Sequence, residues 1–333
     1  MDAMGVSRMC WDRMMGAGKT FLRRSFPWAT LVAVAAACPG VVGEARAQAI
    51  DPQPRIVISG ASGQIGGLVV EELLDRGIRP ENLILVSRTP LELERYAALG
   101  ASTRFGDFLQ PESLDSAYEG GERLFLISLN SNNRDPRVPA RRAELHQVAI
   151  DAAVDAGIEH IVYTSFVDAD NNVSPIAVAH RATEAALRES GITWTFLRNQ
   201  WYADRLAGDA VRMVAERTAL VLPGDPGTAF VTREDCAAAA AAALMNAGHE
   251  NRVYEITGPA LIRMSELASI ASEISGVEVE VREAGPGDEV REAPPSGGTL
   301  STHFREITGE PGTTARDLLE ANRSALLAAA GTR

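Results

Sequence analysis

From Arg55 onward the chain alternates short, β-branched apolar runs with longer stretches whose apolar residues recur every three to four positions. RIVIS, NLILVS, STRFGD, RLFLIS, HIVYTS and TWTFLRN read as strands. QIGGLVVEELLDRG, PLELERYAALG, PESLDSAYEG, ARRAELHQVAIDAAVDAG and ATEAALRESG read as the helices between and after them. Proline opens the second helical stretch and glycine closes the first two, as helix ends require. Several strands are almost wholly apolar, which fits burial on both faces. Strand and helix in this alternation predict an α/β fold, a doubly wound parallel sheet.

After Asn199 the rhythm loosens. WYADRLAGDAVRMVAERTAL reads as helix, TAFVTREDCAAAAAAALMNAG as strand into helix, RVYEITG as a late strand and MSELASIASEISG as helix. VEVEVRE alternates as a half-exposed strand, residues 285–298 have the composition of a loop or lid, and TTARDLLEANRSALLAAAG reads as a capped helix. The expected division is a nucleotide-binding domain over residues 50–257 and a smaller C-terminal substrate lobe over 258–333, interleaved with it through about 200–228.

Residues 1–49 follow another logic. Gly18-Lys19-Thr20 ends like a phosphate loop, but that motif needs a glycine where Arg13 stands and a strand before it. Arg23-Arg24, the uncharged run Ser25–Gly43 and the small residues of ARAQA instead give the three regions of an export signal, cleaved after Ala47 or Ala49. The paired arginines and Phe26 resemble a twin-arginine signal, which implies a periplasmic destination; Leu22, Pro27 and Trp28 depart from that pattern. Cytoplasmic residence, or lipid anchoring at Cys38, are the alternatives. Pro39, Gly40 and Gly43 interrupt the run, so it makes a poor membrane span, and no stable span is expected once the signal is removed.

Composition then narrows the partners. The 284 residues after position 49 carry 26 basic and 41 acidic side chains, a net charge of −15, which disfavours nucleic acid and anionic lipid. Of three cysteines only Cys236 lies beyond the leader, within an alanine-rich helical run, so it reads as a buried core residue and no disulfide framework is available. The five histidines are scattered and give no metal spacing. The only lysine is Lys19.

ISGASGQIGG joins the first strand to the first helix. Gly60 permits the tight turn, Gly63 lets main chain approach a diphosphate, and Gly66 lets helix and strand pack closely. Ser62, Gln64 and Ile65 complete the loop and helix start, whose amides favour a bound anion. At the end of the second strand an NAD site usually carries an acid; here Ser87 and Arg88 stand, a pair suited to a 2′-phosphate, so NADP(H) is the expected cofactor. Asp107, after the third strand, is placed either to reach the adenine amine or to cap the next helix.

These residues, with VSRTP, FGDF, LFLIS, VYTSF, HRATEAALRESGITWTFLRNQWYAD and NRVYEITGP, resemble the atypical short-chain dehydrogenases of the NmrA-like group, and within it the type 2 NADPH-dependent quinone oxidoreductases. The resemblance runs from about Arg55 to Leu327. It implies a Rossmann domain with a C-terminal substrate lobe. It also implies NADPH over the strand ends and a cleft near Leu129, Ser165, Phe166, His180 and Asn199 to Tyr202. Ordinary members of the superfamily use Tyr-x-x-x-Lys for proton transfer, and a chain without lysine there cannot. Many quinone reductases of this group carry a lysine where Ala185 stands.

Ser165, His180 and Tyr202 are the catalytic candidates; Leu129, Phe166 and Asn199 join the cofactor set. Ser165 is placed to bond the nicotinamide or the acceptor. His180 and Glu184, four apart, either orient the cofactor or form a surface pair. Trp201 and Tyr202 either wall a flat acceptor or belong to the core. The expected function is hydride transfer from NADPH to a quinone-like or other conjugated carbonyl acceptor. A sensor that binds NADP(H) without turnover is the alternative, and a homodimer is carried as an option.

Overall fold

The structure, a computed structural model, describes residues 53–129, 141–288 and 299–331. The export-signal reading of residues 1–49 and the lid reading of 289–298 lie outside them. Seven strands form one parallel sheet: β1 (Ile56–Ser59), β2 (Leu83–Ser87), β3 (Ser102–Phe105), β4 (Arg123–Leu126), β5 (His160–Phe166), β6 (Thr193–Asn199) and, after an excursion, β8 (Arg252–Ile256). Their order across the sheet is β3-β2-β1-β4-β5-β6-β8, the doubly wound topology the alternation predicts. The chain reverses direction across the sheet between β1 and β4, and such a reversal opens a crevice at the carboxyl ends of the strands.

Period-two alternation assigns each strand residue to a face. Ile56, Ile58, Val162 and Leu197 pack with helices α1 (Gln64–Asp75) and α6 (Arg233–Met245). Val57, Ile161, Tyr163 and Phe196 pack on the other face, with α2 (Glu112–Tyr118), α3 (Arg142–Asp155) and α4 (Pro175–Glu189). The alanines 237 to 243 of α6 are all buried, and their small side chains let it lie against α1. Cys236 is buried there too.

A second apolar cluster is built by α5 (Asp204–Glu216), α7 (Met264–Ser275), α9 (Ala315–Ala321) and α10 (Arg323–Gly331). Beside it, β7 (Thr218–Val221) and β9 (Glu280–Glu283) form a two-stranded parallel sheet. All described residues belong to one compact unit, Asp51–Arg333.

Four local readings change. The helix over 201–220 stops at Glu216, because Arg217 takes a left-handed conformation (φ 54°), and TALV becomes β7. TAFVT makes only isolated bridges, Tyr202 to Val231 and Thr228 to Ile262, before Thr232 caps α6. PLELERYAALG is a tight 3-10 turn followed by a single helical turn, Glu94–Ala97, since only Leu93 and Tyr96 face the core. The tail helix, opened by a Thr314–Asp317 capping box, breaks at Asn322 into α9 and α10.

Candidate active site

The glycine turn does what its spacing predicts. Gly60 adopts φ 92°, and the amides of Gly60 and Ala61 both donate to the Val86 carbonyl at 3.0 Å, tying the turn to β2. A Cβ on Gly66 would lie 2.2 Å from the Gly60 oxygen, so helix and turn touch only because that side chain is missing. α1 then begins at Gln64 and Ile65 with no side-chain cap and no acid in its first turn. That leaves its N-terminal dipole directed at the crevice, the arrangement a diphosphate needs. The Ser62 and Ser87 hydroxyls lie 2.7 Å apart and join the turn to the end of β2, where Ser87 also accepts from the Thr89 amide. The Arg88 side chain is exposed beside them and pairs with no described carboxylate. One Asp107 oxygen accepts from the Leu109 amide at 3.0 Å, so this residue shapes its own loop.

The other half of the crevice carries buried polar atoms without partners. Among the described residues these are Ser128 Oγ, Arg142 Nε, Asn199 Oδ1 and Gln200 Nε2. Ser128 follows β4, and Asn199 and Gln200 end and follow β6, all at the carboxyl edge of the sheet. Gln200 Oε1 accepts from the Trp201 amide, which leaves its buried nitrogen as the unpartnered donor. Unmatched donors and acceptors of this kind are costly unless a ligand meets them, and a carboxamide-bearing ring fits them chemically. Sequence reasoning placed Asn199, and Gln200 within the span Asn199 to Tyr202, near the cleft but passed over Ser128 and Arg142. Their only signal is a polar residue at a strand end or helix start, which many solvent-facing residues share.

α4 is capped by Ser174 and started by Pro175, and it directs His180, Thr183 and Glu184 toward the sheet. His180 and Glu184 are 5% and 0% exposed. The surface-pair reading is therefore wrong: four-residue spacing sets both on one face, and that face is the buried one. Glu184 receives two bonds from Arg198 on β6, at 2.8 and 2.7 Å, and one from Ser165 Oγ at 2.6 Å. Arg198 in turn grips Asp170 through two bonds and reaches Glu255 at 3.2 Å. The carboxylate takes the Ser165 hydrogen. Ser165 is thus left with lone pairs for any ligand, which corrects its reading as a general bonding group to an acceptor only.

Phe166 stacks on the His180 ring (6.0 Å between centroids) and meets Trp201 edge-on at 5.3 Å. Trp201 is therefore one wall beside His180. Tyr202 turns away from that wall, with its phenol hydrogen-bonded to the Asn199 side chain. Its ring lies under the Arg233 guanidinium at 4.3 Å and packs on the α1–α6 side of the core. Burial raises its phenol. No described contact joins Tyr202 to Ser165 or His180, so the three catalytic candidates divide into separate surroundings. The Leu129 amide donates to His146 Nε2 at 3.1 Å, which makes this residue part of the wall after β4.

A glycine turn between β1 and α1, an uncapped helix start and a crevice at the sheet's reversal together define a nucleotide-binding α/β reductase scaffold. In keeping with this, residues 60–247 match the NAD(P)H-binding family model, and the chain belongs to that family. It is 34% identical to quinone oxidoreductase 2 of Escherichia coli across 70% of this chain and 79% of that protein. It is 29% identical to the NAD(P)H azoreductase of Xenophilus azovorans across 66% and 74%. Among solved structures, the Citrobacter triphenylmethane reductase complexed with NADP(H) superposes with a TM-score of 0.71 at 30% identity, covering 80% of this chain and 98% of that one. The NADPH complex of the Escherichia coli quinone oxidoreductase gives 0.71 at 31%, with the same coverage. An NmrA-like oxidoreductase of Aspergillus flavus is 33% identical over 72% of this chain. The protein is an NADP(H)-binding, NAD(P)H-dependent reductase of this NmrA-like type. Among the described residues no helix is long and apolar enough to cross a membrane.

Proposed function

We propose that this reductase passes hydride from NADPH to a flat, quinone-like acceptor lying against the wall made by Trp201, Phe166 and His180. One observation carries the reading: the site holds a buried imidazole and a carboxylate already engaged by Arg198, with no lysine to depress a phenol's pKa. Reducing an isolated ketone yields a strongly basic alkoxide and calls for a matched acid. Reducing a quinone yields an aromatic hydroquinone anion, which is far less basic. Orientation alone then lowers the barrier by several kcal/mol.

NADPH, when bound, supplies the hydride. Gly60 to Gly66 with the start of α1 hold its diphosphate, and Arg88 with Ser87 receives the 2′-phosphate. Asn199 Oδ1, Gln200 Nε2 and the Ser165 lone pairs are offered to the nicotinamide carboxamide. Aromatic surfaces at Phe166 and Trp201 keep water from the acceptor's face. Within 200–228 and 258–333, helices α5, α7, α9 and α10 share the second apolar cluster and form the lobe proposed to face the acceptor. Export through the twin-arginine-like leader, which as a route for folded cargo would let the protein carry its cofactor with it, accords with tight NADPH binding.

The test is direct. The purified protein should bind NADPH in preference to NADH and oxidise it when a benzoquinone is added. Binding with no oxidation across a panel of quinones and azo dyes would favour the sensor reading, in which NADP(H) is held without turnover.

A further inference from the structure

Behind His180 lies a buried chain of hydrogen bonds that starts from one main-chain amide. The Leu129 N–H can only donate, so His146 Nε2, 3.1 Å away, accepts and carries no hydrogen. A neutral His146 therefore carries its hydrogen on Nδ1. That nitrogen lies 2.9 Å from Thr183 Oγ1 and 3.5 Å from the Tyr163 hydroxyl. Thr183 donates its own hydrogen to the Ala179 carbonyl at 3.1 Å and so receives from His146. The Tyr163 hydroxyl also lies near Ser128 and Thr183, but its shortest bond is to His180 Nδ1 at 2.8 Å, and the chain runs in one direction when Tyr163 donates there. With Nδ1 accepting, the hydrogen of a neutral His180 sits on Nε2, which no described group bonds.

The surroundings keep both rings neutral. Burial lowers His146 well below its ordinary range and lowers His180 to about 3, with the nearby Arg142 guanidinium adding to each effect. Arg142 is itself 4% exposed, with Nε unpartnered, so a second positive charge beside it is strongly disfavoured. The groups facing His180 are Arg142 and His146 from α3, Tyr163 and Phe166 from β5, and Thr183 and Glu184 from α4. The carboxylate among them is already bonded to Arg198 and Ser165.

We propose that Tyr163 is a positioning residue that locks His180 as a neutral Nε2–H donor, aimed at the acceptor oxygen on which negative charge develops. The inference rests on the quinone-reductase reading for the acceptor, but not for the lock. A neutral imidazole stabilises an oxyanion without having to lose a proton, and a fixed tautomer keeps its N–H permanently toward the crevice. No proton transfer is required of His180; the hydroquinone anion takes its proton from water after release.

Two measurements decide it. Long-range ¹⁵N–¹H NMR on the protein saturated with NADP⁺ should show His180 as the Nε2–H tautomer; the Nδ1–H form or a mixture would overturn the lock. Tyr163→Phe keeps the ring and removes the hydroxyl. It should mix the tautomers and lower kcat with a benzoquinone by about tenfold, the worth of one well-placed hydrogen bond, while the NADPH Kd stays unchanged. Mixed tautomers with undiminished kcat would overturn the role in turnover. If Tyr163→Phe does not fold, the tautomer of the unaltered protein still tests the lock. If the unaltered protein shows the Nε2–H form yet reduces no quinone, the proposed acceptor fails and the lock stands.

Discussion

Arg88 is the single side chain on which the proposed cofactor choice turns. It is exposed, next to a serine that is itself bonded to the glycine turn, and nothing described neutralises it. A charge-assisted bond to the 2′-phosphate contributes about 1.5–3 kcal/mol, so Arg88→Ala should weaken NADPH roughly 10- to 100-fold and leave NADH almost unchanged. Isothermal titration with both coenzymes checks this, and an equal loss for each contradicts the phosphate role. At this scale the glycine turn was legible because its geometry is local, a few residues between a strand and a helix. Ser128 and Arg142 were not legible, because an unpaired buried polar atom is defined by what surrounds it in space. Ser165 fell between. Its place at a strand end was readable, but the direction of its hydrogen depends on Glu184, 19 residues away.

Helix α4 and strands β5 and β6 work as one unit. The apolar faces of β5 and β6 fix the register that sets Arg198 opposite Ser165 and places both against Glu184. The Arg198 and Glu184 side chains are 5% and 0% exposed, and removing Glu184 takes two buried bonds from Arg198 and leaves it Asp170 and Glu255 alone. Glu184→Ala should therefore cost about 1.5–3 kcal/mol of folding stability. Chemical denaturation of the variant measures it, and a loss under 1 kcal/mol would mean the cluster is not holding β6 to α4. The helix and both strands were readable from periodicity. The four-residue spacing of His180 and Glu184 was also visible, but spacing alone does not say whether a polar pair faces water or sheet. β7 was missed for a related reason. TALV continues an amphipathic helical pattern, and only the left-handed Arg217 turns it aside.

For the whole molecule, buried imidazoles set the acid limit of stability. His180 is lowered to about 3 and His160 to about 4, both chiefly by burial, and His146 well below its ordinary range. The unfolded chain takes up protons at these sites below about pH 6.5, where the folded chain does not. More protons on the unfolded state means that stability is full above pH 6.5 and is lost as pH falls toward 3 to 4. Urea midpoints measured from pH 7 to pH 4 should fall steadily, and a midpoint that rises on acidification would contradict the neutral, buried histidines. The sheet order, the two helical layers and the crevice at the reversal were all legible, because alternating strand and helix leaves few topologies open. The second apolar cluster was less so: α9 and α10 are short and β9 is exposed along its length, so neither period dominates there.

The central claim is that this scaffold, without a Tyr–Lys pair, transfers hydride to a quinone. Single-turnover absorbance of the reduced nicotinamide tests it most directly, with the protein loaded with one equivalent of NADPH, freed of excess coenzyme and mixed with a benzoquinone under anaerobic conditions. The account predicts loss of bound NADPH faster than in a protein-free control and in proportion to hydroquinone formed. Bound NADPH that stays reduced, or decays no faster than the control, would contradict it.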